Sequence, residues 1–191
     1  DMVREFRVSD STTPVLLMGY ANPVMHMGYA RFADAAAAVG LDALLTVDIP
    51  PEEVDSINRE LQRVGMDNIF LVAPTTPDER IARIAARASG FIYYVSLKGV
   101  TGAGHLDTVE VAARVNAIRQ HSNLPVAVGF GIKDAASARQ VSQTAEGVVV
   151  GSALVHAMAQ VIEQGGTPDA AIAAAAGLLG QIRKGMDSAA S

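Results

Sequence analysis

The sequence predicts an α/β fold in which parallel strands alternate with helices, and three observations predict it. Apolar runs of strand length recur, nearly continuous in Val, Ile, Leu, Ala and Phe, as in parallel strands covered on both faces. A helix-like stretch follows each run, and strand starts recur roughly every 22 to 35 residues, the spacing of βαβ units with right-handed crossovers. Short glycine segments stand just past three later runs: Gly99-Val100-Thr101-Gly102, Gly129-Phe130-Gly131 and Gly151-Ser152.

Within Asp1 to Arg7, Met2, Val3 and Phe6 fall at helical spacing, which reads as the last turns of a helix whose preceding strand is outside this sequence. The predicted strands are Val15 to Tyr20, Ala43 to Val47, Ile69 to Ala73, Phe91 to Val95, Val126 to Gly129 and Gly147 to Gly151. Met27 to Ala38 predicts an alanine-rich helix that ends at Gly40. Pro51 to Val64 predicts the next, with Pro51, Glu52 and Glu53 in its first turn and Gly65 at its stop, the usual asymmetry of helix ends. Thr76-Pro77-Asp78-Glu79 opens another. Asp107 to His121 and Asp134 to Gln143 each begin on an acidic residue suited to a helix N-terminus. Ala153 to Glu163 follows the last strand, and an alanine-rich helix from about Pro168 to Lys184 closes the chain.

Half of the 191 residues are apolar and 18% are charged, so the chain can bury a substantial core as one domain, 1–191, with no compositional shift to mark a linker. A net charge of −5 without a basic run argues against a nucleic-acid surface, and no apolar stretch reaches the ~18 residues of a membrane span. Cys is absent, which excludes disulfides and thiolate metal sites and weakly favours a cytoplasmic setting. His26, His105, His121 and His156 stand on separate units without metal-ligand spacing, so no metal site is expected.

Together the glycine segments read as a phosphate cradle. Without a Cβ the backbone can approach an anion closely, and amides at a helix N-terminus point partial positive charge at it. Each segment alone reads equally well as the end of a strand. Two of them, however, follow consecutive strands late in the chain, where a (β/α)8 barrel binds the phosphate of its substrate. The rival architecture, an open doubly wound sheet, needs three glycines after the first strand, and Gly19-Tyr20-Ala21-Asn22 does not match. Six units stand here against the eight of a whole barrel. The predicted fold is therefore a (β/α)8 TIM barrel lacking roughly its first two βα units, strands 3 to 8 with their helices and a C-terminal helix. Among carboxylates, Asp48 is the clearest at a strand end, which nominates it as a general base, with capping of the helix after Pro50 and Pro51 as the structural reading.

Leu16-Leu17-Met18-Gly19-Tyr20-Ala21-Asn22-Pro23, Val47-Asp48-Ile49-Pro50-Pro51-Glu52-Glu53, Tyr93 to Gly102 (YYVSLKGVTG), Gly129-Phe130-Gly131-Ile132 and Gly151-Ser152-Ala153 follow one another in an informative order and spacing. That series resembles the successive signatures of the tryptophan synthase alpha subunit family over essentially the whole chain. The resemblance implies a (β/α)8 barrel that cleaves indole-3-glycerol phosphate to indole and glyceraldehyde 3-phosphate in tryptophan biosynthesis. It also implies a partner, the pyridoxal-phosphate-dependent beta subunit of an alpha2beta2 heterotetramer, with no cofactor in the alpha subunit itself.

Residue by residue, the resemblance assigns Gly102, Gly131, Gly151 and Ser152 to the substrate phosphate. Thr101 falls in a loop that closes over substrate, although as a turn residue its hydroxyl could equally bond nearby backbone. Tyr20, Tyr93 and Phe130 match positions that line the indole pocket or support a catalytic carboxylate, while Tyr94 should face the opposite way and pack against helices. Asp48, with Pro50 and Asn22, matches the partner interface, and Asp48 matches a residue that couples the two sites. Carbon–carbon cleavage needs acid–base carboxylates. The family's glutamate and aspartate for these steps match a segment ahead of Asp1, so no catalytic residue is assigned within the chain, which on this expectation would not turn over substrate alone. Two alternatives are an inert fragment that keeps phosphate and beta-subunit binding, and another phosphate-binding barrel such as a sugar-phosphate isomerase.

Overall fold

The computed structural model describes residues 1–95, 108–129 and 131–188. Strands follow chain order, β1 (Leu16–Gly19), β2 (Ala43–Thr46), β3 (Asp67–Val72), β4 (Ile92–Val95), β5 (Val126–Gly129) and β6 (Gly147–Val149). Each pair with a described register is parallel. Two compact units divide the chain, one of Asp1–Val72, Thr76–Ile92 and His121–Leu124, the other of Ala73–Thr75, Tyr93–Gln120 and Pro125–Ser191.

In the first unit Leu16 lies opposite Ala43 on β2, which in turn lies opposite Asp67 on β3. The helices are α1 (Met2–Ser9), α2 (Ala21–Met27), α3 (Tyr29–Ala38), α4 (Asp55–Arg63) and α5 (Asp78–Ala85). Helices α3, α4 and α5 bury Ala33, Ile57, Leu61 and Ile81, as the strands bury Leu45, Ile69 and Val72, whereas α1 has no buried residue. The expectation of strands covered on both faces holds for β2, whose four residues are all buried. It fails for β1. Leu17 and Met18 are 44% and 57% exposed, because an apolar run records a strand's composition and not whether a neighbour covers it.

Polar contacts fix the N-terminal helix and the buried strand. Arg7 of α1 donates Nε–H to Gly40 O at 2.8 Å and Nη1–H to Thr13 O at 2.7 Å, and pairs with Asp42. Asp42 also accepts the Val15 N–H ahead of β1. Deeper, Asn58 of α4 donates to Arg87 O at 3.1 Å and accepts from the Asn68 amide on β3, so two buried polar side chains satisfy each other. Asn68 N–H donates in turn to the Ser89 hydroxyl.

Two helix expectations are revised. The helix predicted from Met27 to Ala38 starts at Tyr29, after Gly28 with φ 88°, and a helix the sequence did not predict, α2, precedes it through Asn22 and Pro23. Pro23 sits in the first turn, where its missing N–H costs little. The helix predicted from Pro51 starts at Asp55, because Glu53 N–H bonds to Pro50 O in a turn ahead of it.

In the second unit Ala127 lies opposite Gly147, pairing β5 with β6. Its helices are α6 (Thr108–Arg119), α7 (Ala135–Val141), α8 (Ser152–Glu163) and α9 (Pro168–Asp187). Val111, Val115 and Ile118 of α6 are buried together with Tyr94, Val126, Val128 and Ile182. Tyr94 is fully buried, whereas its neighbour Tyr93 is half-buried. Glu146 ties the β5–β6 pair at its start, accepting the Val126 N–H at 2.8 Å and pairing with Arg119. Partial burial works against its ionisation, yet that N–H and the guanidinium hold its carboxyl below the ordinary value. Helices α7 and α9 touch backbone to backbone, since a Cβ on Gly185 would stand 2.5 Å from Ala135 O.

Candidate functional site

In the first unit the C-terminal ends of β1 and β2 are laced by two hydrogen bonds. Val47 N–H donates to Gly19 O at 2.9 Å, and Ala21 N–H donates to Asp48 Oδ1 at 2.7 Å. Between these two anchors lies Tyr20, the N-cap of α2 with φ −87° and ψ 153°, a residue 68% exposed. Asn22 is exposed on the first turn of α2, and Pro50 is half-buried just past Asp48. Asp48 does cap a helix, but not the one after Pro50 and Pro51. That helix, α4, has Val54 as its N-cap, while the Asp48 carboxylate serves α2 in the preceding unit of the sheet. The contact spans 27 residues, so no local spacing rule could have shown it.

In the second unit Tyr93 lies half-buried on β4, its hydroxyl held protonated to higher pH by burial. Its ring lies over the end of β5, so close that a Cβ on Gly129 would stand 2.2 Å from the hydroxyl oxygen and 2.4 Å from the ring. In the sequence Gly129 reads both as a strand end and as part of the phosphate cradle. What it does is leave room for a tyrosine. The signal was present as a glycine inside an apolar strand, which marks close approach by another group. Two residues on, Gly131 has φ 78°, a conformation that favours glycine.

Beyond β6, Gly151 is the N-cap of α8 and Ser152 its first residue, both exposed. The flanking helices α7 and α9 open differently, although α3 in the first unit likewise opens on a glycine, Gly28. Asp134 caps α7 by accepting from Ser137 N–H at 2.8 Å, and Thr167 caps α9 by accepting from Ala170 N–H at 3.2 Å. At α8 the cap is a glycine with no side chain to offer, and a Cβ built on it meets nothing within 4 Å. A 12-residue helix that opens without a capping side chain leaves first-turn amides of the kind that can bind an anion, although the Leu154 N–H already bonds to Gly151 O at 3.0 Å. Thr101, Gly102 and Phe130, and His105 with them, lie outside the described residues. Among the described residues no group of three or more His, Cys, Asp or Glu could hold a metal ion.

The family model for the tryptophan synthase alpha chain matches residues 1–182. The tryptophan synthase alpha chain of Thioalkalivibrio sulfidiphilus is 55% identical over 186 residues, covering 97% of this chain and 69% of that protein. That of Chromobacterium violaceum is 56% identical over 156 residues, 82% of this chain and 60% of the relative. Among solved structures, tryptophan synthase subunit alpha from Legionella pneumophila superposes with a TM-score of 0.85 at 41% identity, over 98% of this chain and 68% of that one. Tryptophan synthase from Mycobacterium tuberculosis gives 0.80 at 30% identity, over 96% and 65%. The chain thus spans 60–69% of the length of the two sequence relatives.

Proposed function

The chain belongs to the tryptophan synthase alpha chain family, and from that membership we propose that it takes part in the family's lyase reaction, cleavage of indole-3-glycerol phosphate to indole and glyceraldehyde 3-phosphate. Membership sets aside the sugar-phosphate isomerase alternative. The barrel fold predicted from the strand spacing is that of its structural relatives, of which the chain represents part.

One observation supports the assignment of the site: α8 opens on a glycine whose built Cβ would meet nothing within 4 Å, where the flanking helices α7 and α9 open on capping side chains. In this reading the amides at Gly151 and Ser152 hold the substrate phosphate, with the Ser152 hydroxyl as an added donor. Gly131, Gly102 and the Thr101 loop contribute to the same phosphate. The dianion is held by oriented N–H groups and the α8 dipole, so no lysine or arginine is needed. Tyr93 and Phe130 flank the indole, as does Tyr20. The Tyr93 hydroxyl is neutral at physiological pH, as any tyrosine is with an ordinary value of 10.0, and burial pushes its ionisation higher still, so the ring presents an uncharged wall.

Cleavage transfers protons to and from the indole and the glycerol hydroxyl, work for carboxylates rather than a cofactor. The family residues with that task match a segment ahead of Asp1, and pyridoxal phosphate belongs to the beta subunit. We assign Asp48, Asn22 and Pro50 to the surface that meets that beta subunit in an alpha2beta2 complex, in the cytoplasm. No helix among the described residues is long and apolar enough to cross a membrane.

The phosphate assignment is tested at Gly151. Because a Cβ there meets no protein atom, Gly151→Val should fold, yet its bulk enters the anion's space. Calorimetric affinity for glycerol 3-phosphate should fall at least ~10-fold, about 1.4 kcal/mol, with the melting temperature nearly unchanged. Wild-type affinity in the folded variant refutes the assignment.

A further inference from the structure

Tyr20 has an unusual combination of properties. The residue is 68% exposed, so packing does little to fix where the ring points. Its backbone, by contrast, is held on both sides by the end of the neighbouring strand. Gly19 O, just before it, accepts the Val47 N–H at 2.9 Å, and Ala21 N–H, just after it, donates to Asp48 Oδ1 at 2.7 Å. With little packing on the ring, the two anchored peptide groups fix the Cα–Cβ direction from which it extends and so limit the space its rotamers can reach.

We propose that Asp48 is a positioning residue for Tyr20: by accepting the Ala21 N–H at the first turn of α2 it sets the backbone from which Tyr20 presents its ring to the aromatic part of the substrate. Three observations support the direction of control. The Ala21 N–H is one of the donors that a helix start leaves without an intrahelical acceptor, and a carboxylate there gains from both the hydrogen bond and the helix dipole. Tyr20, as N-cap, offers no side-chain hydrogen bond to that turn, so the acceptor comes from another strand. Asp48 itself is followed by Ile49 and then Pro50 and Pro51, whose fixed φ angles stiffen the segment that carries it. The hydrogen bond thus joins a stiff strand end to an otherwise loosely held aromatic residue.

This role differs from general-base chemistry and from coupling across a subunit interface. It needs an acceptor oxygen, not a titrating carboxylate, and it acts on the ring end of a ligand. It rests on the placing of Tyr20 beside the indole made above.

The experiment uses the full chain and two probes, 3-(indol-3-yl)propyl phosphate, which has ring and phosphate, and glycerol 3-phosphate, which has no ring. Affinities and melting temperatures are measured for wild type, Asp48→Ala, Asp48→Asn, Tyr20→Ala and the Asp48→Ala/Tyr20→Ala double variant. Asp48→Ala should weaken the indole probe ~3- to 10-fold, the effect of losing one charge-assisted hydrogen bond at a helix start, and leave glycerol 3-phosphate unchanged. Asp48→Asn keeps the acceptor oxygen and should restore affinity to within about twofold. In the double variant the two losses should not add, because Asp48 has no ring left to position.

Wild-type affinity for the indole probe in Asp48→Ala, alongside a loss in Tyr20→Ala, overturns the inference and leaves the site reading standing. Equal losses for both probes, tracking a lower melting temperature, overturn it in favour of a purely structural bond. A loss in Asp48→Asn as large as in Asp48→Ala overturns it in favour of a role for the charge. Unchanged indole affinity in Tyr20→Ala removes Tyr20 from the ring site and the inference with it.

Discussion

Adding one methyl group at Gly129 tests how the ring of Tyr93 is held. The built Cβ stands 2.2 Å from the Tyr93 hydroxyl oxygen, 2.4 Å from Cε2 and 2.7 Å from Cζ, whereas ordinary contact begins at 3.4 Å. The ring must therefore withdraw by about 1 Å, and since it ends a side chain with two free torsions, it can do so by leaving its place rather than by displacing the sheet. Overpacking of this kind costs about 1–3 kcal/mol, against which Gly→Ala in a strand returns about 0.5–1 kcal/mol, so Gly129→Ala should lose up to about 2 kcal/mol in urea denaturation. Tyr93→Leu removes the atoms in conflict. Gly129→Ala should accordingly cost little or nothing in the Tyr93→Leu background, with a coupling of about 1–2 kcal/mol. A second readout follows from burial. The Tyr93 hydroxyl titrates above 10.0 because burial penalises its anion, so a ring driven into water should titrate nearer that value in an ultraviolet pH titration. Additive stabilities within about 0.5 kcal/mol, or an unmoved titration, would falsify the packing argument.

Two further perturbations probe the frame that carries the site. Asn58→Leu leaves the Asn68 amide and the Arg87 carbonyl without their partner and should cost about 2–4 kcal/mol by urea denaturation, while Asn58→Leu/Asn68→Leu should cost less than the two single changes summed. Asp134 is held below its ordinary 3.8 by the Ser137 N–H and hydroxyl, so its contribution is present above that value and is lost as pH falls through the lower folded one. The wild type should therefore exceed Asp134→Asn by about 0.3–1 kcal/mol near neutral pH, and the gap should close as acid titration protonates the wild-type carboxyl, with a pH-independent gap counting against a charge effect.

Strand positions were legible because apolar runs of four to six residues, bounded by turn residues, have few other uses at this spacing. Helix starts were legible where one side chain does the capping, as Asp134 does for α7. They were not where the backbone itself turns first, as at Pro50 to Glu53 ahead of α4, or where a short helix starts on Tyr20 without a capping side chain, as α2 does. Exposure of Leu17 and Met18 was illegible for a different reason: it depends on what lies beside β1, and the residues of β1 record only that they would be stable if covered.

The glycines and Asp48 differ in how much sequence can say of them, and the difference is physical. A glycine's usefulness lies in an absence, so its position after a strand narrows its purpose to a turn, a close approach or a ligand, and only the surroundings separate these. Gly129 makes room for Tyr93, while Gly151 opens onto nothing and starts a helix. A carboxylate at a strand end has a wider range, because the same two oxygens serve a proton, a helix start or a partner's cation equally well. Sequence position nominated Asp48 for chemistry. The Ala21 N–H at 2.7 Å shows one of its oxygens already committed to a helix start, and to the neighbouring strand's helix rather than its own. An acceptor bound in that way retains its charge but gives up part of the freedom a general base needs to meet a substrate proton, so the geometry weights Asp48 toward holding the site's framework over carrying its proton transfers.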